Sequence, residues 1–299
     1  RHEESALKNW AAVIGDPIDH SLSPVLHSKA YEILDLPWEY RRYQVDAETL
    51  GPFLEGLDEG CRGLSVTMPL KPLVRQYVGH IEGLAKLLRS ANTIVIGGGL
   101  RAGFNTDVYG ITEAFRSSAA EDSALTAALS NTDKTDETKN GRPVILGTGA
   151  TASSALAALA ALGYRKTWIV GRRFAGDTNA FMSANRIGVR AETIPLRLTE
   201  TVTEAINNAP LVVSTIPPQV TEDLAKGLSP RADALLLDVT YSNNVVPLRR
   251  AFEDAGAISV SPLKMLTYQG VAQVKLMTNR DVPFEPIYKA VLSAAHGNV

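Results

Sequence analysis

Val144-Ile145-Leu146-Gly147-Thr148-Gly149-Ala150-Thr151-Ala152 joins an apolar triplet to an alanine-rich run through two glycines. The triplet predicts a short buried strand and the run after it a helix, Ala150–Leu162. Gly147 permits the tight turn between them, and Gly149 lets the backbone approach a bulky anion. A helix that starts there presents unbonded N–H groups and a partial positive charge, which suits a pyrophosphate. The usual third glycine is absent, and Ala152 is small enough for close helix–sheet packing.

The next apolar run, Trp168-Ile169-Val170, ends in Gly171-Arg172-Arg173. A dinucleotide site that takes NAD usually places a carboxylate here for the ribose 2′-hydroxyl. Two guanidiniums in its place would grip a 2′-phosphate through charge-assisted hydrogen bonds. The expected cofactor is therefore NADP. Strands are expected at Pro143–Leu146, Thr167–Val170, Ala191–Ile194, Leu211–Thr215, Ala234–Val239 and Ala257–Val260, with helices between several of them. Six such strands fit a doubly wound parallel sheet.

The first half of the chain is also α/β in pattern. Strands are expected at Trp10–Ile14, Trp38–Val45 and Leu64–Thr67, and Thr93–Ile96 is expected to form a hairpin through Gly97-Gly98-Gly99 to a run ending near Phe104. Helices are expected at Pro24–Leu34, with Ser23 as N-cap, and at Ala47–Leu57. Beyond Pro262 the pattern is helical again, over Leu263–Thr278 and Phe284–Ala295. The polar stretch Ser117–Gly141 reads as a flexible insertion.

The 299 residues suffice for two ordinary domains. A net charge of −2 gives no electrostatic footprint for nucleic acid or an anionic membrane. No apolar run approaches the ~18 residues of a membrane span. Cys61 stands alone, so no disulfide forms within the chain, which suits a cytoplasmic protein, and the five histidines lack metal-binding spacing.

Polar side chains recur where apolar ones are expected. Ser65-Val66-Thr67-Met68-Pro69-Leu70-Lys71 carries a strand into a proline stop and at once into a lysine, either a surface cation or one delivered to the rim of a sheet. Ser21 and Ser23 flank a helix entrance, where they could cap the helix or hold a carboxylate. Asn92 precedes a strand, and Asp107 precedes a helix that it could simply cap. Gln269 and Gln273 share one face of a helix.

These segments, with Gly15-Asp16-Pro17, His27, Asp238-Val239-Thr240-Tyr241 and Tyr268-Gln269, occur in the order seen in shikimate dehydrogenases. The resemblance runs from about Val13 to Thr278. It implies an N-terminal α/β substrate domain, residues 1–107 with 263–299, and a Rossmann-like doubly wound NADP-binding domain, residues 108–262. It further implies reversible reduction of 3-dehydroshikimate to shikimate by NADPH, in a monomer or homodimer. Lys71 and Asp107 would be the acid–base pair. Ser21, Ser23 and Tyr241 would hold the substrate carboxylate, and Thr67, Asn92 and Gln269 its oxygens. Gly147, Gly149, Ala150, Arg172, Arg173, Thr215 and Ile216 would hold the cofactor, with no metal. Ser65, Leu70, Arg173 and Lys264 depart from the commonest family pattern. The rival readings are an NAD-dependent quinate/shikimate dehydrogenase, a ligand-binding regulator without turnover, and a dinucleotide-binding scaffold, which leaves the polar residues of the first half unexplained.

Overall fold

The computed structural model describes residues 7–121, 129, 141–242 and 244–297. The chain divides into two compact units, Arg1–Thr106 with Gln269–Val299, and Asp107–Tyr268.

The first unit is built on β1 (Trp10–Gly15), β2 (Glu39–Gln44), β3 (Cys61–Val66), β4 (His80–Ile81), β5 (Thr93–Gly97) and β6 (Leu100–Phe104). They form one mixed sheet in the order β2-β1-β3-β5-β6-β4. β1 pairs in parallel with β2 and β3, whereas β3–β5 and β5–β6 are antiparallel. The expected hairpin is present, and Gly98 and Gly99 both take positive φ, 57° and 75°, as a two-residue turn matched to strand twist requires. All six residues of β1 are buried, and Ile14, Leu64, Val66, Leu70 and Ile94 close a core with helix α2 (Leu50–Glu55). Cys61 belongs to that core, and burial pushes its thiol up to about 12.

Two helix expectations are corrected. Helix α1 (Ser23–Ile33) has Leu22, not Ser23, at its N-cap. Ser21 supplies the hydroxyl instead, accepting the Ser23 N–H at 3.3 Å. Helix α2 starts at Leu50 rather than Ala47, because Asp46 draws the N–H groups of Glu48 and Thr49 into a turn at 2.9 Å each. The short helix α3 (Gly83–Leu88), capped by the Glu82 carboxylate, went unread in the sequence.

The second unit holds β7 (Val144–Leu146), β8 (Lys166–Gly171), β9 (Arg190–Pro195), β10 (Leu211–Ser214), β11 (Leu235–Asp238) and β12 (Ile258–Val260). The sheet order is β12-β11-β10-β7-β8-β9 and every pairing is parallel. The expected doubly wound sheet is therefore present, with its switch of direction between β7 and β10. β7, β10 and β11 are buried at every residue, which explains their uninterrupted apolar sequences. The layers around the sheet are α4 (Asp107–Ala120), α5 (Ala150–Ala161), α6 (Ala180–Ile187), α7 (Thr199–Asn208), α8 (Pro218–Ala225) and α9 (Pro247–Asp254). Helix α10 (Pro262–Thr278) contains the boundary between Tyr268 and Gln269, and α11 (Phe284–His296) follows in the first unit.

Helix α4 corrects the expected insertion at its start: residues 117–120 are helical, and 122–128 and 130–140 lie outside the described residues. Among the described residues no helix is long and apolar enough to cross a membrane, and no cluster of three or more His, Cys, Asp or Glu side chains could hold a metal ion.

The end of β1 is a close approach. A Cβ at Gly15 would stand 2.3 Å from Thr67 Cγ2 and 2.8 Å from the Met68 carbonyl oxygen. Gly15→Ala is expected to cost about 1–3 kcal/mol by overpacking, read as a lower denaturation midpoint than wild type.

Candidate active site

The apolar interior of the first unit encloses a polar chain whose donors and acceptors can be assigned atom by atom. Gln273, 1% exposed on α10, donates to the Asn92 carbonyl and to Thr93 Oγ1, both at 2.9 Å. Its Oε1 then faces the donors, accepting from Ser65 Oγ at 2.7 Å and lying 3.2 Å from His27 Nε2. Ser65 Oγ in turn accepts the Tyr40 hydroxyl at 2.6 Å. That assignment places the proton of a neutral His27 on Nε2. The ring stacks on Tyr40 with centroids 4.2 Å apart, and its Nδ1 has no hydrogen-bond partner.

The chain continues into Asn92. Its Oδ1 accepts from Thr93 Oγ1 at 2.9 Å and from the Thr106 N–H at 2.8 Å. Its Nδ2 donates to Thr106 Oγ1 at 2.8 Å and to Gln269 Oε1 at 3.3 Å. Thr106 Oγ1 donates to the Gln269 carbonyl at 3.0 Å. Asn92 and Gln269 are thus brought together and their carboxamides are held in one orientation. The resemblance implies these two residues; it gives no role to Tyr40, Thr93 and Thr106, and the sequence marks Gln273 only as sharing a helix face with Gln269. A polar side chain opening an otherwise apolar strand could have marked Thr93; Tyr40 on the polar strand β2, Thr106 between β6 and α4, and Gln273 on α10 carry no such mark.

The other expected residues of this unit are placed by its backbone. Ser21 is half-buried and Ser23 is buried at the start of α1. Thr67 follows β3, its N–H bonded to the Ile14 carbonyl at 3.0 Å. The Lys71 carbonyl accepts the Ala91 N–H at 2.9 Å, and the residue is half-buried. Of the departures from the family pattern, Ser65 is a link in the polar chain, and Leu70 is fully buried in the core.

In the second unit, Asp107 is the first residue of α4, inside the helix rather than before it, and is 4% exposed. Gly147 takes φ +116°, and a Cβ there would meet Thr215 Oγ1 at 2.0 Å. Gly149, by contrast, faces open space within 4 Å. A cavity of about 570 Å³ lies at the switch between β7 and β10, lined in part by Gly147, Thr148, Arg172, Arg173, Ile216 and Pro217. Four expected cofactor residues therefore converge: Gly147, Arg172, Arg173 and Ile216. Gly149 and Ala150 form the turn and the start of α5 beside it. The Thr215 hydroxyl is turned to the Leu146 carbonyl at 2.9 Å, where it braces the turn. A glycine cradle, a helix N-terminus and two cations around one cavity fit a phosphorylated dinucleotide.

Tyr241 is 40% exposed on the loop after β11. The base of that loop is fixed by Asp238, 1% exposed, which accepts the Thr240 N–H at 3.0 Å and the Thr240 hydroxyl and lies 3.8 Å from Arg249 Nε. Lys264 pairs with Glu121 at 2.8 Å and reaches Ser118 Oγ at 3.4 Å.

Comparison with known proteins covers both units. Residues 13–94 match the shikimate dehydrogenase substrate-binding domain, and residues 263–292 the shikimate 5′-dehydrogenase C-terminal domain. Residues 143–242 match the coenzyme F420-dependent NADP oxidoreductases. The chain is 31% identical to the shikimate dehydrogenase (NADP(+)) of Methanopyrus kandleri, with 95% of each chain covered. The crystal structure of Mycobacterium tuberculosis shikimate dehydrogenase is similar with a TM-score of 0.77 and 31% identity, over 96% of this chain and 99% of that one. A 28% match to the pentafunctional AROM polypeptide of Saccharomyces cerevisiae covers 93% of this chain but spans only 17% of that larger protein.

The buried network carries a pH signature. Desolvation holds His27 down at about 4, against an ordinary 6.5, and the hydrogen bond to Gln273 opposes that shift only in part. The unfolded chain takes up a proton near the ordinary value, the folded chain only near 4. The His27 contribution to stability is therefore full above pH 6.5 and is lost as pH drops from 6.5 to 4, by about 3 kcal/mol in all. Denaturation curves at pH 7 and pH 4.5 are expected to diverge less for His27→Asn than for wild type, and equal divergence would remove His27 as the cause.

Proposed function

Since this chain belongs to the shikimate dehydrogenase family, NADP-dependent oxidoreductases of aromatic amino acid biosynthesis, we propose that it interconverts 3-dehydroshikimate and shikimate with NADPH. The observation that carries the cofactor half is the convergence of Gly147, Arg172 and Arg173 on one cavity. The substrate half rests on the Asn92–Gln269 pair, whose fixed carboxamides suit a polyhydroxylated ring. In this reading the unit Arg1–Thr106 with Gln269–Val299 binds substrate and the unit Asp107–Tyr268 binds NADP. We assign the reaction to the cytoplasm, a reducing compartment that a lone buried cysteine suits.

Bound NADPH would supply a hydride to the ring ketone. The protein must then manage the negative charge that develops on the ketone oxygen. We assign that task to the Lys71 ammonium, which stabilises the charge and passes a proton to it. Asp107 is assigned to orient the lysine and accept from the neighbouring hydroxyl. Ser21, Ser23 and Tyr241 are assigned to the substrate carboxylate, and Thr67 to a ring oxygen. Oxidation releases the proton, so that direction is favoured as pH rises.

Absorbance at the reduced-nicotinamide band, with shikimate or quinate and NADP or NAD, tests the assignment. Shikimate with NADP is expected to give the fastest rate; activity in none of the four mixtures would favour a binding protein without turnover. Lys71→Ala is expected to lower kcat by about 10²–10⁴ with little change in shikimate binding. A rate within tenfold of wild type would exclude the acid–base role. Replacing Arg172 and Arg173 together by Ala is expected to raise the KM for NADPH by about tenfold or more.

A further inference from the structure

The segment between β8 and α6 carries Arg172 and Arg173, and it is an exposed segment with one buried residue, Asn179. Asn179 Oδ1 accepts the Phe181 N–H at 3.0 Å, an ordinary cap for α6. Serine, threonine or aspartate would serve there equally well. The other half of the carboxamide has a task that capping does not need. Asn179 Nδ2 donates to the Arg173 carbonyl at 3.1 Å.

The bonds on either side tighten the same segment. The Asn179 N–H reaches the Gly176 carbonyl at 3.1 Å, and the next residue, Ala180, donates its N–H to the Thr148 carbonyl at 2.9 Å. Thr148 is the centre of the glycine turn. The arginine segment is thereby tied to the turn through residues 179 and 180, and Thr148, Arg172 and Arg173 line one cavity. Gly176 takes φ +99° with nothing within 4 Å of where a Cβ would stand, and the segment is tied further by Arg186 Nη2, which donates to the Asp177 carbonyl at 2.9 Å, and by the Phe174 ring against Phe181. A segment so exposed would sample many conformations, and a grip on a phosphate would have to order it first.

We propose that Asn179 is a positioning residue for cofactor choice: its side-chain N–H pins the Arg172–Arg173 segment against the glycine turn, so that the guanidiniums are set for a ribose 2′-phosphate before the cofactor arrives. This rests on the NADP reading above. The residue touches no part of the cofactor; it acts through the backbone of Arg173.

Asn179→Ser keeps an acceptor for the cap and removes the donor, and Asn179→Asp does the same while suiting the helix N-terminus. Dissociation constants for NADPH, NADH and adenosine 2′,5′-bisphosphate, measured by titration calorimetry on the full chain, give the readout. Asn179→Ser is expected to weaken NADPH and the bisphosphate by about tenfold, with NADH within about twofold, and to leave kcat at saturating NADPH and the melting temperature unchanged. Unchanged NADPH binding, or equal losses for NADPH and NADH, overturns the inference while a wild-type preference for NADPH leaves the cofactor reading standing. A wild-type protein that binds NADH as tightly as NADPH overturns both.

Discussion

A carboxamide sealed among apolar side chains must find partners for both of its ends, and in the first unit Gln273 does so. Each unmet bond would cost about 1–3 kcal/mol. Its two N–H groups are taken by Asn92 and Thr93, so its oxygen must face Ser65 and His27. From that single choice the directions of the neighbouring bonds follow, through Tyr40 at one end and through Asn92 to Gln269 at the other. The network turns two flexible amides into fixed features, because reversing either would bring like against like. The tautomer of His27 is settled by the same choice.

The second unit depends on a different economy. Its sheet is purely parallel and covered by helices, so the strands need only be apolar, and chemistry is confined to their ends. Arg172, Thr215 and Gly147 all lie just past the last residue of a strand or at its close. Asp238 is the exception that closes a strand with a buried charge, and it spends that charge on Thr240 and Arg249 at the base of the loop that carries Tyr241.

Much of this was legible in the residues. The six strands of the second unit could be read because parallel strands buried on both faces are short apolar runs between helices. The glycine turn and the arginine pair could be read because few other structures need those residue types at that spacing. Helix starts were harder. Ser23 looked like a cap, but Ser21 two residues earlier took the N–H, a choice between two hydroxyls that propensity does not decide. Helix α2 was shortened by one aspartate competing for backbone N–H groups. The Gln273 network was the least legible part, since its bonds join residues up to 246 positions apart and local pattern carries no sign of who meets whom.

That separation in sequence also sets an order of events in synthesis. The second unit is one continuous stretch, Asp107–Tyr268, while the first is made of a segment before it and a segment from Gln269 onward. On the ribosome, Asp107–Tyr268 is complete while the first unit still lacks Gln273. Through the intervening residues Asn92, Thr93, Ser65 and His27 have no Gln273 to bond, and they must be satisfied by water or by one another. The polar interior of the first unit closes only once Gln273 has been made, and a nascent chain cut short before Gln273 would hold a finished dinucleotide fold and an open first unit.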